Sequence, residues 1–271
     1  LGLEFDCETI DVRYDPRRRG SYADEFHKIR GRKGVTVEDA VRLMKSTTYF
    51  GSMMVHMGDA DGYLGGVAHH YPDIVKPCLQ TIGPAPGTHR IVGMYMMTVN
   101  GQLMFIGDAT INIYPDARTL AEIAIQTAKV ARRFGVTPKV AMLSFSNFGT
   151  SGEMRTDRIE EAIAIAREMQ PDLCIDGPMQ ADTALIPEIQ KNYPFMEFDG
   201  PANVLICPNL TSANIAYKLL QRIAGAEMTG PILEGLAKPA HVLQRNDSVR
   251  EVVHMAAICA VDAQRYAKQR L

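Results

Sequence analysis

The fold class is decided by a change of pattern in the stretch Ala240-His241-Val242-Leu243-Gln244-Arg245-Asn246-Asp247-Ser248-Val249-Arg250-Glu251. Its apolar beginning predicts a strand, the polar residues after Leu243 predict a turn, and the apolar periodicity of residues 252–266 predicts a helix. Ser248 and Glu251 form the Ser-x-x-Glu capping-box pattern that marks the start of such a helix. A strand that leads through a turn into a capped helix is the building unit of α/β folds.

The rest of the chain continues this alternation. The Asn100-Gly101 dipeptide separates two apolar runs, 91–98 and 103–109, and predicts an antiparallel hairpin. Further predicted strands lie at 139–145, 172–175 and 203–207, and further predicted helices at 22–30, from Thr36, between Pro72 and Pro77, and at 117–134, 156–169 and 212–224. We therefore expect an α/β fold with a mostly parallel sheet and helices on both faces.

Local patterns give finer expectations. Residues 15–19 are expected to be irregular, and Thr36 is predicted to cap its helix together with Asp39. Apolar spacing predicts the buried faces of two helices, namely Val37, Val41 and Met44 in the first, and Ile215, Leu219, Leu220 and Ile223 in the second.

Composition restricts the class of protein. With 271 residues and 46% hydrophobic residues, the chain can bury a large core in one big domain or two modest ones. A net charge of −2 argues against nucleic acid as a partner, and no apolar run approaches the roughly 20 residues of a membrane-spanning helix. Five scattered cysteines without a Cys-x-x-Cys pair predict reduced core thiols. We therefore expect a cytoplasmic protein; the start of the sequence, without Met or a basic segment, shows no signal peptide.

The polar loop after the predicted strand 139–145 is the first candidate binding site. It contains Ser144, Ser146, Gly149, Thr150 and Ser151, whose hydroxyl and backbone N–H groups suit a phosphate or an acyl carbonyl. Ligands of open α/β sheets bind at the carboxyl ends of strands, which is where this loop lies. The alternative is an ordinary connection of polar turn residues, and without other evidence that alternative is favoured.

Two further loops follow predicted strands. Asp176 and Asp182 could hold polar ligand groups, although turn chemistry with Asp182 as a helix cap explains them equally. Asn214 lies near a helix start and could contact a ligand, while Thr211 or Ser212 is expected to cap that helix. No His or Cys completes a ligand set beside these carboxylates, so no metal site is predicted.

Arg245 and Glu251 are the last candidates. Arg245 suits bidentate binding of an anion, and Glu251 could act as a general base. Glu251 is also the third helical residue of the capping box, where the helix dipole stabilises its charge and makes it a poor base. The adjacent His69 and His70 are expected to be structural or exposed, because no third ligand lies nearby.

Several blocks together resemble the phosphate acetyl/butyryltransferase family. These blocks are Leu143-Ser144-Phe145-Ser146 with Gly149, Asp176-Gly177 with Gln180 and Asp182, residues 202–220, residues 49–66, and Leu243-Gln244-Arg245 with Glu251. Within this family, Gly200-Pro201-Ala202-Asn203-Val204, Gly230-Pro231-Ile232-Leu233 and Val242-Leu243-Gln244-Arg245 are most similar to the C-terminal transferase-like domain of hybrid NADP-dependent malic enzymes.

The resemblance implies two α/β/α lobes of the isocitrate/isopropylmalate dehydrogenase type, with acyl-CoA in the cleft between them and a homodimer as the assembly. The implied lobes are residues 1–78 plus 232–271, and residues 79–231. The family begins with a further strand and helix upstream of Leu1, so the chain is expected to be a fragment of a larger protein. Acetyl-CoA or CoA is the implied ligand, held by Ser144, Ser146, Gly149, Thr150, Ser151, Asn214 and Arg245, with no metal, nucleic acid or membrane as partner.

Departures from the family pattern bear on activity. Gln244 replaces the Ser of the proposed catalytic pair, Glu251 replaces its Asp, and Lys76 stands where the family has Arg. Losing a proton-transfer partner typically costs about 10²–10⁴ in rate. The leading hypothesis is therefore an inactive, acetyl-CoA-binding regulatory domain that controls a fused malate oxidoreductase.

Two other hypotheses stay open at this point. One is an active phosphate acetyl- or butyryltransferase, with Glu251 as base and Arg245 stabilising the charge that develops on the reacting groups. The other is a purely structural dimerisation module without a ligand response.

Overall fold

The chain folds into two compact units in the computed structural model, which describes residues 7–99, 101–149 and 157–268. The first unit comprises Leu1–Gly83, Leu236–Asp247 and Ala256–Leu271, and the second comprises Pro84–Gly235 and Ser248–Met255. The division into lobes of residues 1–78 plus 232–271 and residues 79–231 stays a prediction. No helix in the described ranges is both long enough and apolar enough to cross a bilayer.

The first unit is mainly helical. Two short strands in its described part, β1 (Tyr63–Gly65) and β8 (Ala240–Val242), pair in parallel, with Leu64 opposite His241. Its elements are α1 (Pro16–Arg30), α2 (Val37–Leu43), α3 (Thr47–Met57), β1 (Tyr63–Gly65), α4 (Tyr71–Thr81), β8 (Ala240–Val242) and the later part of α10 (Val249–Lys268), with short 3-10 turns at Val12–Tyr14 and Gly31–Lys33.

The helix starts of this unit correct part of the sequence prediction. Residues 16–19, expected to be irregular, form the first turn of α1, because Asp15 accepts from the N–H of Arg18 and Pro16 occupies the first helical position. The capping box of Thr36 and Asp39 is confirmed. The sequence predicted a helix bounded by Pro72 and Pro77. This was wrong at its end, because Pro77 lies inside α4.

The predicted buried face of α2 was also wrong in part. Met44 is fully buried, but Val37 and Val41 are about half exposed, and Ala40 is buried in their place. A helix of seven residues has room for only one buried stripe. That stripe is set by the contacts of Ala40 and Met44 with the aromatic core of Tyr22, Phe26, Tyr49 and Phe50.

The second unit is built on a six-stranded sheet. Its neighbouring strands run in the order β5 (Ile175–Met179), β4 (Val140–Leu143), β6 (Val204–Ile206), β3 (Gln102–Gly107), β2 (Val92–Val99) and β7 (Glu227–Glu234). Strands β5, β4, β6 and β3 are parallel neighbours, and β2 is antiparallel to both β3 and β7. Its elements are β2 (Val92–Val99), β3 (Gln102–Gly107), α5 (Ala117–Arg133), β4 (Val140–Leu143), α6 (Asp157–Met169), β5 (Ile175–Met179), α7 (Ala181–Leu185), α8 (Pro187–Gln190), β6 (Val204–Ile206), α9 (Leu210–Ile223), β7 (Glu227–Glu234) and the start of α10. The prediction of an α/β fold with mostly parallel sheets is confirmed, as is the hairpin of β2 and β3.

Strand β5 begins where the sequence predicted a strand to end. Residues 172–175 were expected to be the strand and the Gly177-Pro178 pair a turn, but the pair lies inside β5. This strand is at the edge of the sheet, where a proline without an N–H is tolerated. Gly177 has a φ of 138°, and a Cβ there would lie 2.6 Å from the carbonyl oxygen of Met142 on the neighbouring strand.

Helix α9 differs from its prediction at its start and on its face. Asn209 caps it by accepting from the N–H of Ser212 at 3.0 Å, so the prediction of Thr211 or Ser212 as the cap was wrong. The helix buries Ala213 and Tyr217. Of the four apolar residues predicted to be buried, Leu220 is partly buried against the core of the second unit. The other three are more than half exposed, with exposed fractions of 54% for Ile215, 51% for Leu219 and 81% for Ile223.

Gly66, directly after β1, gives a sharp prediction for stability. It has a φ of 142°, and an added Cβ would lie 2.0 Å from the carbonyl oxygen of Leu243. We expect Gly66→Ala to lower the free energy of unfolding by about 3 kcal/mol or more, because strain and overlap add. Gly58→Ala is the matched control: its φ of 90° is also left-handed, but the space around it is open, so about 1 kcal/mol is expected. The free energy of unfolding of both variants can be measured by urea denaturation, and equal losses in the two would contradict this account.

Candidate functional site

The loop that follows β4 is fixed against the edge strand β5. The N–H of Ser144 donates to the carbonyl of Met179 at 2.8 Å, and the N–H of Phe148 donates to the carbonyl of Pro178 at 2.7 Å. Ser146 is buried and Ser144 is half-buried. Gly149 has a φ of 73°, which lets the backbone turn at the end of the described part of the loop. Thr150 and Ser151, also predicted for this site, lie outside the described residues.

Asn147 and Gln180 hold the same loop through their amide groups. The side-chain oxygen of Asn147 accepts from the N–H of Gln180 at 2.8 Å, and its nitrogen donates to the hydroxyl of Tyr193 at 3.1 Å. The side-chain nitrogen of Gln180 donates to the carbonyl of Phe145 at 2.8 Å. These contacts give the loop a defined shape at the carboxyl end of the parallel strands, where α/β proteins bind ligands.

Asp176 is a structural residue in this geometry. Its buried carboxylate accepts from the N–H groups of Gly177 at 2.8 Å and Glu197 at 2.9 Å. Asp182 accepts from the N–H of Thr183, and Gln180 rather than Asp182 occupies the cap position of α7. Within the described ranges, no group of three or more His, Cys, Asp or Glu could hold a metal ion.

Asn214 contacts the loop after β3. Its side-chain nitrogen donates to the carbonyl of Ala109 at 3.3 Å. Ala109 follows Asp108, whose φ of 40° is unusual for a residue other than glycine. Strands β3, β4 and β6 are parallel, so this loop, the loop after β4 and the start of α9 lie at one edge of the sheet.

Asp108 anchors that second loop. Burial raises the pKa of its carboxyl, while hydrogen bonds from Asn112, Gly93 and Ile111 act against the rise. The N–H of Asn112 donates to it at 2.8 Å and the N–H of Ile111 at 3.0 Å. Sequence reasoning missed this residue; the signal was a carboxylate directly after a buried strand, in Gly107-Asp108-Ala109.

Gln244 and Arg245 lie in the turn after β8 in the first unit. The N–H of Gln244 donates to the carboxylate of Asp247 at 2.7 Å, so the backbone of the turn is fixed independently of the Gln244 side chain. Arg245 is exposed, and its Nη2 lies 3.4 Å from Nε2 of His70. A guanidinium only donates, so His70 accepts in this pair. The sequence could not indicate the contact, because 175 residues separate its partners.

Glu251 forms the predicted capping box at the start of α10. Its carboxylate accepts from the N–H of Ser248 at 2.6 Å, and its own N–H donates to the Ser248 hydroxyl at 3.3 Å. The charge of Glu251 is therefore held at a helix N-terminus, where the dipole stabilises it.

A family model described as "Phosphate acetyl/butaryl transferase" matches residues 2–260. The chain belongs to the phosphate acetyl/butyryl transferase family. The resemblance inferred from the sequence blocks is confirmed at this level.

Individual relatives agree with the family model. The phosphate acetyltransferase of Corynebacterium glutamicum is 41% identical over 265 residues, which cover 97% of this chain and 80% of that protein. The phosphate acetyltransferase of Bacillus subtilis is 39% identical over 253 residues, 92% of this chain and 78% of that protein. A solved phosphotransacetylase structure from Streptococcus pyogenes matches with a TM-score of 0.85 and 37% identity, over 95% of this chain and 77% of that one.

These relatives overturn the leading hypothesis from the sequence. The interpretation as an inactive regulatory domain of an NADP-dependent malic enzyme is wrong, since proteins aligned over 80% and 78% of their own lengths are named phosphate acetyltransferases. The oxidoreductase and NADP predictions are wrong on the same finding. Similarity along the whole chain outweighs the departure from the family pattern at the single position Gln244.

Proposed function

We propose that this family member is an active phosphate acetyltransferase, which moves an acetyl group between the sulfur of CoA and inorganic phosphate. In the forward direction, the thioester bond of acetyl-CoA breaks, a phosphate oxygen bonds to the acetyl carbon, and CoA leaves as the thiol. The observation that carries the proposal is the 41% identity to a phosphate acetyltransferase over 97% of the chain. The finer prediction of isocitrate/isopropylmalate dehydrogenase-like lobes belongs to the same proposal.

The proposed roles follow the chemistry of each residue. Arg245 is exposed and can bind phosphate and stabilise charge that develops during transfer. Glu251 exchanges a proton with the thiol of CoA. The loop after β4, through Ser144, Ser146 and Gly149, binds CoA together with Asn214; the proposal is supported by the general position of ligands at the carboxyl ends of parallel strands.

Release of free thiol from acetyl-CoA tests the proposal. We expect the purified chain to release CoA in proportion to inorganic phosphate, with acetyl phosphate formed in equal amount. Sulfate in place of phosphate is the control for ionic strength. Release that does not depend on phosphate would indicate a thioesterase, and no release at any phosphate concentration would contradict the proposal.

Gln244→Ser tests the departure from the family pattern. The Asp247 contact fixes the backbone at this position, so the substitution should leave the fold intact. If the Ser hydroxyl assists transfer, as the family resemblance implies, we expect kcat to rise by about 10²-fold, the low end of the range for a proton-transfer group. Gln244→Ala is the control that removes the amide without supplying a hydroxyl. A similar gain in both variants would show that the amide obstructs the site and that the hydroxyl has no role.

We infer further that the chain forms a homodimer through α9. Ile215, Leu219 and Ile223 form a stripe along this helix and are more than half exposed. A second copy could cover the stripe with its own, since a twofold axis matches identical surfaces. We expect Leu219→Glu to convert a dimer to a monomer in light scattering, while Lys218→Gln leaves the mass unchanged. A monomeric unsubstituted chain would contradict the inference.

A further inference from the structure

Three aromatic side chains form a cluster beside the loop after β4. The ring centroids of Phe148 and Phe195 lie 4.8 Å apart with the planes at 79°. Tyr193 lies 5.1 Å from Phe148 and 6.0 Å from Phe195. These are edge-to-face or tilted contacts, which orient the rings of such a cluster. We call these residues the aromatic cluster.

One ring of the cluster is open to solvent. Phe195 is 62% exposed even though it contacts both other rings. Phe148 and Tyr193 are half-buried and support it from the protein side. An exposed phenyl ring supported in this way offers a flat apolar surface to a planar group.

A left-handed backbone residue and several hydrogen bonds fix the position of the cluster. Phe148 has a φ of 48°, a left-handed conformation that costs free energy for any residue with a Cβ. Its N–H is bonded to the carbonyl of Pro178, and Asn147 beside it is bonded to both Gln180 and Tyr193. Strained backbone of this kind persists where the surroundings enforce it, and it is concentrated at ligand-binding positions.

The position of the aromatic cluster indicates which part of the proposed substrate it can bind. Through Phe148 the cluster lies at the carboxyl end of β4 and β5, the edge of the sheet that binds ligands. Acetyl-CoA, the substrate under the proposed function, carries one planar heteroaromatic group, its adenine. Aromatic side chains bind nucleobases by stacking, and this requires no particular hydrogen-bond pattern.

We propose that the aromatic cluster binds the adenine of acetyl-CoA, with Phe195 as the stacking residue. This inference rests on the proposed function for its substrate, and it adds a specificity determinant remote from the reacting thioester. Its consequence is that the cluster discriminates acetyl-CoA from acyl thioesters that lack the adenosine part.

Steady-state kinetics with two substrates tests the discrimination. S-acetylpantetheine has the same thioester and arm as acetyl-CoA but no adenine. We expect Phe195→Ala to raise KM for acetyl-CoA about 10-fold, within the range for loss of one stacked base, and to leave kcat and KM for S-acetylpantetheine unchanged. Tyr14→Ala is the matched control, an 82% exposed aromatic of the first unit and outside the cluster. An unchanged KM for acetyl-CoA, or an equal rise for both substrates, would overturn the inference.

A binding measurement keeps the inference separate from the proposed function. Etheno-CoA has a fluorescent adenine, and the chain contains no Trp to obscure it. We expect quenching on binding to the unsubstituted chain and its loss in Phe195→Ala. Phe195→Leu, which preserves apolar packing, should lose it too and guards against misfolding of the alanine variant. If the chain quenches etheno-CoA but has no transferase activity, only the proposed function is refuted. If etheno-AMP binds with the same affinity as etheno-CoA, the surface binds free nucleotides and the assignment to CoA is overturned.

Discussion

Arg245→Ala is expected to lower kcat for phosphate-dependent release of CoA by about 10²–10³-fold, the effect of removing one group that stabilises transition-state charge. Arg245 is exposed in the turn after β8, and its guanidinium lies beside His70 rather than in the core. The free energy of unfolding should therefore change by less than about 0.5 kcal/mol. Arg245→Lys should recover only part of the rate, because an ammonium cannot bind phosphate in a bidentate manner.

Arg250→Ala is the matched control for that substitution. Arg250 is another exposed arginine of the same segment, and it pairs with the exposed Glu227 at 2.8 Å. An exposed pair contributes about 1 kcal/mol or less to stability, so both rate and stability should stay near those of the unsubstituted chain. If Arg245→Ala retained more than a third of the rate, or if Arg250→Ala lost as much, Arg245 would have no special role in transfer.

Elements whose start or turn is marked by one short local sequence pattern were predicted correctly. The β2–β3 hairpin followed from Asn100-Gly101, and the capping boxes of α2 and α10 followed from single Thr and Ser residues with an acidic partner. Helix faces were harder to predict. The apolar residues of α9 have regular spacing, but the helix buries Tyr217 against Tyr95 instead, at a centroid distance of 4.4 Å. Periodicity shows that an apolar stripe exists and does not show what covers it.

The candidate site was predictable only as a set of loops. The sequence indicated the loops after β4 and β8, because polar residues there follow apolar runs. It could not indicate the contacts that shape them, such as Asn147 with Tyr193 or Arg245 with His70, since these join residues distant in the chain. The aromatic cluster was missed for the same reason: Phe148 and Phe195 lie in different connections, and the 143–149 sequence block that contains Phe148 gives no sign of its contact with Phe195.

Glu251→Gln is expected to lower kcat for transfer by about 10²-fold, at the low end of the range for loss of a proton-transfer group. The low end follows from the structure, because the helix N-terminus that stabilises the Glu251 carboxylate also weakens it as a base. Glutamine is the informative replacement, since it can still accept from the N–H of Ser248 and preserve the capping box. The stability cost should therefore be only the lost interaction of charge with the helix dipole, about 0.3–1 kcal/mol.

Ser248→Ala separates catalysis from helix capping. It removes the hydroxyl that accepts from the N–H of Glu251 but leaves the carboxylate in place. We expect it to lower the free energy of unfolding by about 1 kcal/mol while the rate stays within a few-fold of the unsubstituted chain. Kinetics and thermal unfolding of both variants decide between the two roles. If Glu251→Gln is slow but stable, and Ser248→Ala is active but less stable, the proton transfer is assigned to Glu251. If the loss of rate follows the loss of stability in both variants, Glu251 is a capping residue alone.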